Sequence, residues 1–572
     1  MNMKYFIKKK FKKSFILNKI YKIQPPLIQK SINKNLGIYQ INNVMKIAKI
    51  LNINAYNLAT IIAKNINLIG ISKIIISQPG FINISFAKNW LEKNIQKKIF
   101  TKRLNIEFKK KKTVVIDYSS PNIAKEMHVG HLRSTILGDA TARLMKFLGY
   151  NIIRVNHIGD WGIQFGILIA YLSHIPINKN TSLKKINNLY IKAKKKYNEN
   201  KNFKKKAKQC TIKLQNGDIK YISIWKKIVK ITIKKNQKIY KKLQVNLKKK
   251  HIMGESSYNY MIPKIIKDLI KKKIAIRKNG KIIVFLKKFK NKNGQNMGVV
   301  IQKKNGSFLY TTIDIACIKY RYKKLKAKRI IYYVDSRQKR HLQQVWEISK
   351  KAGYIPKNMI LEHHNFGMML KENNKPFKTR SGNIIKLTSL IKKSIINAKK
   401  IILKKKPTIS KKKLQYLGEK IGIGAIKYSD LSKNREKNYI FNWKNILSFN
   451  GNTALYIQYS YTRIISIFKK IKKKEYLKKK YISLKNKTEL NISIKLLQFE
   501  EILLETQKKG SLHILCNYLY DLSVIFSLFY EKYSILFASI KKKITRLKLI
   551  LIIKKTLKIG LYILGISTLK QM

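Results

Sequence analysis

His128 and His131, with Lys125 just ahead of them, stand where a short apolar strand gives way to a helix, and that placement defines the chemistry open to them. Thr113-Val114-Val115-Ile116 has the β-branched character of a strand, Ser119-Ser120-Pro121-Asn122 breaks it, and Leu132, Ile136, Leu137, Ala140 and Leu144 recur at helical spacing. Both histidines therefore fall in the first helical turn, on one face. A helix start offers unpaired N–H donors and the positive end of the helix dipole. Two cationic imidazoles there can steady the breakdown of a triphosphate, and Gly130 between them leaves room for a flat base. A bare His-x-Gly-His is equally compatible with rings that merely cap the helix.

The rest of the composition narrows the classes open to the chain. At 572 residues it is too long for one ordinary core, so several domains are expected. A net charge of +101 would normally point to a polyanionic partner. Here Lys, Ile, Asn and Tyr crowd every region, apparent core helices included, which reads as a compositional drift; runs such as Lys8-Lys9-Lys10 and Lys194-Lys195-Lys196 are expected to be solvated faces. The same bias makes acids informative, because only 25 Asp and Glu remain and Asp117, Glu126, Asp139 and Asp160 all lie near the histidines. Cys210, Cys317 and Cys516 form no C-x-x-C pair, so neither a zinc site nor a disulfide framework is indicated, and a reducing cytoplasm fits. Apolar runs such as Leu549 to Ile553 are too short to span a bilayer, so no membrane association is expected.

The elements that position these residues follow from the pattern. Residues 1–112 alternate amphipathic helix, as in Val44 to Ile50, with strand, as in Gly80 to Phe86, and read as a small α/β domain. Residues 113–395 read as an α/β, Rossmann-like domain around a parallel sheet, with Asn151 to Val155 and Arg329 to Val334 as further strands. Ligands of such sheets bind beyond the carboxyl ends of the strands, where the histidine motif and Asp335-Ser336-Arg337-Gln338 both lie. A lysine-rich helical insertion over about 175–250 offers no chemistry of its own. Residues 396–450 form a connecting helical segment, and 451–572 an all-α bundle with helices over Leu512 to Tyr530 and Ile544 to Leu564, its tyrosines mostly core.

The run Pro121-Asn122-Ile123-Ala124-Lys125-Glu126-Met127-His128-Val129-Gly130-His131, followed by Asn156-His157-Ile158-Gly159-Asp160-Trp161-Gly162, resembles the signature region of the arginyl-tRNA synthetases, class I aminoacyl-tRNA synthetases of the bacterial type. Gly37-Ile38-Tyr39-Gln40 and Pro79 to Ile84 resemble that family's N-terminal domain, which contacts the tRNA elbow, and Tyr456 to Arg463 and Tyr562 to Ile566 its anticodon-binding helical domain. The resemblance implies an arginine–tRNA ligase that forms arginyl-adenylate from arginine and ATP, with Mg2+ accompanying ATP, no protein-bound metal, and transfer to the tRNA for arginine. A cytoplasmic protein is expected, and nothing in the sequence requires more than a monomer.

Site residues follow from the same likeness. A guanidinium is a planar fork of five donors, so a selective pocket needs carboxylates in its plane and neutral acceptors beside them. Asp117 and Asp314 are the candidates, and Tyr310, four residues before Asp314, would share its side of a helix. The resemblance adds Asn122 and Gln338; Asp314 and Asn122 rank first, then Tyr310 and Gln338, then Asp117. Gly130, Gly159, Asp160 and Arg380 are expected around ATP. No Lys-Met-Ser-Lys-Ser loop exists; Phe366-Gly367-Met368-Met369-Leu370 and Lys375-Pro376-Phe377-Lys378-Thr379-Arg380-Ser381-Gly382 resemble its variant in bacterial arginyl enzymes, so that Lys378 and Arg380 would face the phosphates and Lys125 would share their role. The rivals are another class I synthetase and an RNA-binding protein without catalysis.

Overall fold

The computed structural model describes residues 2–31, 33, 35–108, 111–173, 175, 181–290, 293–375, 385–471 and 481–572. Its centre is a parallel sheet of four strands, β1 (Thr113–Asp117), β2 (Asn151–Val155), β3 (Arg329–Tyr332) and β4 (Ile360–His363), in the order β4-β3-β1-β2. Val115 of β1 registers with Ile153 on one side and Ile330 on the other. β1 is buried from Val114 onward, as a strand covered on both faces must be, and its run of Val and Ile meets that demand. β4 is one strand more than the sequence pattern had marked.

Helix α1 (Val129–Phe147) leaves the end of β1 and runs through the middle of the molecule, with apolar residues buried on every side. A helix so enclosed cannot send its polar side chains to water, so they bond within the protein. Arg133 meets Asp430 at 3.1 Å, Ser134 donates to the carbonyl of Tyr333 at 2.6 Å, and Arg143 meets Asp139 at 2.7 Å. Arg133 also donates to the carbonyl of Gly367 at 2.7 Å, which fastens α1 to the segment leading into the loop after Leu370. At the far end of that loop, the Val129 amide donates to the Ile385 carbonyl and the Leu387 amide to the Met127 carbonyl. Both ends of the loop are thereby anchored on the start of α1.

Among the described residues the insertion forms three α-helices, α2 (Leu183–Glu199), α3 (Lys201–Gln215) and α4 (Ile219–Lys242). Beyond it an antiparallel meander of Ala275–Lys278, Lys281–Lys290 and Asn296–Gln302 departs from the all-parallel expectation. The Asn279-Gly280 turn explains the first hairpin: both residues have positive φ, 51° and 69°, as a two-residue turn matched to strand twist requires. Helix α5 (Tyr310–Lys323) then feeds β3, and α6 (Lys339–Lys351) feeds β4.

The N-terminal unit is an antiparallel sheet of Ile28–Lys30, Tyr39–Ile41, Phe81–Phe86 and Ile71–Ser77, with helices that include Val44–Ile50 as expected. Past α7 (Lys411–Leu431) the described chain is helical apart from the short pair Met369–Leu370 with Tyr439–Ile440; helices His513–Lys532 and Ile540–Ile563 lie where the apolar runs placed them. One apolar core joins the N-terminal unit, α1 and the C-terminal helices, and a second fills the space between the meander and β3. Tyr428, Tyr461 and Tyr518 are core, whereas Tyr459 and Tyr562 are exposed. No helix among the described residues is long and apolar enough to cross a membrane. All three cysteines are free and buried.

Candidate active site

His128 is the residue that caps α1, one position before the helical turn expected for it. Its Nδ1 accepts the amide of Gly130 at 3.1 Å, and Nδ1 of His131 accepts the amide of His128 at 3.2 Å. The ring centroids are 4.1 Å apart. A nitrogen that accepts an N–H carries no proton, so each ring keeps its proton on Nε2, directed away from the helix. Burial, then the neighbouring His128, pushes His131 down to about 3; burial, then Lys125, lowers His128. The expectation of cationic rings is therefore corrected. Two neutral N–H donors are set side by side, because a desolvated pair beside a lysine cannot hold two further positive charges.

Lys125 is half-buried, its ammonium 4.9 Å from the centre of the Tyr190 ring on α2, and burial followed by Lys194 lowers its pKa. Glu126 pairs with Lys386 across the antiparallel bridge between His128 and Lys386. Lys378 and Arg380 lie outside the described residues. Gly130 is exposed, and a side chain there would meet the His128 ring at 2.9 Å.

A cavity of about 620 Å³ is lined by Asn122, Trp161, Glu255, Phe308 and Tyr310, and by Thr211 of the insertion. Asn122 is exposed to it, and Ile123 after it donates to the Gly159 carbonyl at 3.1 Å. A Cβ at position 159 would lie 2.4 Å from Oδ1 of Asn122, so any larger residue there would displace that side chain. Asp314 and Tyr310 share one side of α5, joined through His341, whose Nε2 is 2.6 Å from Oδ2 of Asp314 and whose ring is 4.7 Å from that of Tyr310. His157 approaches the other oxygen of Asp314 at 3.7 Å. Gln338 ends the turn Ser336–Gln338 with its side chain exposed.

Two expected site residues have other partners. Asp117 is buried against Arg321, with Nη2 at 2.6 Å, and accepts from Ser120 Oγ at 2.9 Å, which leaves it no free face for a substrate. Arg321 is fully buried, so the pair is structural. Asp117→Asn is expected to cost about 3 kcal/mol of folding stability by denaturant titration, leaving the arginine KM of the folded fraction unchanged; a stable variant with a raised KM would return Asp117 to the pocket. Asp160, expected beside ATP, gives both oxygens to Ser256, one to its amide at 3.0 Å and one to its hydroxyl at 2.7 Å. A side chain at Gly254 would collide with that carboxylate at 2.5 Å. Asp160 thus anchors the turn that presents Glu255.

Glu255 is the residue that sequence reasoning missed. Burial, then Asp314 and Asp160, pushes its carboxyl up to about 8. A buried acid with two acidic neighbours calls for a cation. The scarcity of acids, applied beyond the histidine motif, would have found it. The insertion is corrected as well, since α2 meets Lys125 and α3 walls the cavity. Among the described residues no group of His, Cys, Asp and Glu could hold a metal ion.

Comparison with known proteins places this geometry. Residues 94–443 match the family described as tRNA synthetases class I (R), catalytic domain; residues 457–572 match the DALR anticodon binding domain, and 2–86 the arginyl tRNA synthetase N terminal domain. The arginine–tRNA ligase of Buchnera aphidicola subsp. Schizaphis graminum is 54% identical over 581 residues and all of both chains; that of Wigglesworthia glossinidia brevipalpis is 52% identical over 95% of this chain and 96% of its own. The crystal structure of arginyl-tRNA synthetase from Plasmodium falciparum superposes with a TM-score of 0.86 at 32% identity over 99% of each chain. The Thermus thermophilus arginyl-tRNA synthetase shares the fold, with a TM-score of 0.83 at 19% identity over the full length of both. With matches that span the catalytic, N-terminal and anticodon-binding regions in order, the chain belongs to the arginyl-tRNA synthetases of class I.

Proposed function

We propose that this chain joins arginine to its tRNA by the following division of labour. The arginine carboxylate attacks the α-phosphorus of ATP in line, an oxygen–phosphorus bond forms, and pyrophosphate leaves with the electrons of the broken bond. The Nε2–H groups of His128 and His131 donate to the phosphate oxygens as negative charge builds, and neutral donors fixed before the reaction need no reorganisation when it occurs. Lys125, with Lys378 and Arg380 of the loop, supplies the positive charge that the rings lack, and Mg2+ enters as the counter-ion of the triphosphate. No covalent enzyme intermediate is required; placement does the work. The adenylate is then attacked by a hydroxyl of the terminal tRNA adenosine, which releases AMP. In this reading the enzyme acts in the cytoplasm as a monomer. Its units are bounded near residues 112, 395 and 450.

The observation that carries the arginine specificity is the neighbouring pair of carboxylates, Glu255 lining the cavity and Asp314 close enough for its charge to act on Glu255, with Asn122 and Tyr310 as neutral partners in the lining. A guanidinium satisfies two acids and their neutral neighbours together; citrulline offers no charge to balance either carboxylate and leaves Glu255 without a cationic partner. The raised pKa of Glu255 gives a pH signature. Below about 8 the empty pocket holds Glu255 protonated, and guanidinium binding expels that proton. Arginine affinity is therefore expected to rise up to about tenfold per pH unit from pH 6 toward 8 and then level off. Calorimetry in buffers of different ionisation enthalpy counts the released proton. Affinity independent of pH across that range, with no proton released, would remove Glu255 from the pocket.

A further inference from the structure

Three residues ahead of the histidines hold a backbone conformation that L-residues avoid: Ser119, Ser120 and Ala124 have φ of +75°, +43° and +66°. None is glycine, so the surroundings must impose the shape on them. Part of that grip comes from α1 and β2, where the Ser119 amide donates to Ser134 Oγ at 2.9 Å and the Ser120 amide to Asn156 Oδ1 at 3.1 Å. The rest comes from α4 of the insertion. The amide of Ala124 donates to Thr232 Oγ1 at 3.3 Å, and the hydroxyl of Tyr240 lies 2.8 Å from Ser119 Oγ and accepts from Asn156 Nδ2 at 3.3 Å. Thr232 and Tyr240 are both buried.

The contact with Tyr240 continues into α1. Thr135 Oγ1 donates to Ser119 Oγ at 2.8 Å and lies 2.6 Å from the carbonyl of His131, so its one proton is shared between the two acceptors. Three hydroxyls are thereby linked, from the insertion through the strained turn to the backbone of the second histidine.

We propose that Tyr240 is a positioning residue for adenylate formation: its hydroxyl holds the strained Ser119–Ala124 turn, and through Ser119 and Thr135 the first turn of α1, so that Asn122, Lys125 and the histidines keep their mutual geometry. The inference rests on the reading of residues 119–131 as the ATP-activating motif. It gives the insertion a catalytic duty in place of the inert role read from its lysines.

Tyr240→Phe removes one oxygen and keeps the ring that packs there. In arginine-dependent ATP–pyrophosphate exchange by the full chain with tRNA present, its kcat per folded protein is expected to fall about tenfold, the weight of one buried hydrogen bond, while KM for arginine stays within twofold. Ser119→Gly, which lacks the hydroxyl, lowers kcat similarly, and the double variant falls no further than the lower single because both cut one chain. A role in stability alone would move the thermal midpoint and leave kcat and the coupling untouched. A Tyr240→Phe enzyme within twofold of an active parent, or additive losses in the double variant, overturns this inference alone. A parent with no arginine-dependent exchange overturns the functional reading and takes this inference with it.

Discussion

Replacing both His128 and His131 by Asn leaves the chain folded and lowers the rate of arginyl-adenylate formation by at least about 10⁴-fold, from about 10²–10³ for each lost donor. Asparagine is chosen because its side-chain oxygen stands where Nδ1 stands and asparagine caps helices well, so the amides of Gly130 and His128 keep their acceptors. What disappears is Nε2–H alone. The variant therefore separates the two accounts of the histidine pair, capping and catalysis. A normal thermal midpoint with the rate gone assigns the rings to chemistry, and a retained rate would assign them to the cap. Binding of tRNA, which the rings do not face in this account, should stay within about twofold, the small change expected of a site outside the interface. The neutral state of His131 adds a corollary. With His131 held down to about 3, that ring does not titrate through the neutral range, so the rate should show no loss attributable to its deprotonation between pH 6 and 8.

Asp314→Asn is expected to raise KM for arginine by about 10³-fold, in line with the cost of removing one partner from a buried charged hydrogen bond, about 2–5 kcal/mol. The Asp314 carboxylate is held by His341 at 2.6 Å and its charge acts on Glu255, so in the proposed pocket a guanidinium beside Glu255 pairs with both acids. Asparagine keeps the shape and presents an amide where a charge was. Glu255→Gln should cost less, about 10²-fold, because Glu255 must first release a proton to act. It should also abolish the pH dependence of arginine affinity, which Asp314→Asn instead moves to lower pH, because the Asp314 charge is one of the causes that raise Glu255. Steady-state kinetics at fixed saturating ATP and tRNA read both. KM within threefold of the parent in Asp314→Asn would put the guanidinium elsewhere.

The parts of this molecule legible in the sequence are those written in local pattern. The β-branched run before the motif, the break at Ser119 to Asn122 and the helical recurrence after it gave β1 and α1 to within a residue or two. The Tyr310–Asp314 spacing gave a shared helix face, found through His341. What stayed hidden depends on contacts between distant segments. Asp117 looked free because Arg321, its buried partner, is 204 residues away. Asp160 lies in a motif that reads as a nucleotide site, yet its oxygens go to Ser256 in the turn that sets Glu255. The charge state of the histidines could not be read from their helix position, since burial and Lys125 decide it. The insertion looked inert because its sequence is mostly lysine; the residues that matter there, Tyr190, Thr232 and Tyr240, are single aromatic or hydroxyl side chains in a basic background.

The central claim, that two carboxylates select a guanidinium beside a neutral histidine pair that steadies ATP cleavage, is tested most directly by ATP–pyrophosphate exchange with tRNA present and each amino acid supplied in turn. The account predicts exchange with arginine, and rates at background with lysine, citrulline and the remaining amino acids. Exchange driven by an amino acid without a guanidinium, or no exchange with arginine from folded enzyme, would contradict it.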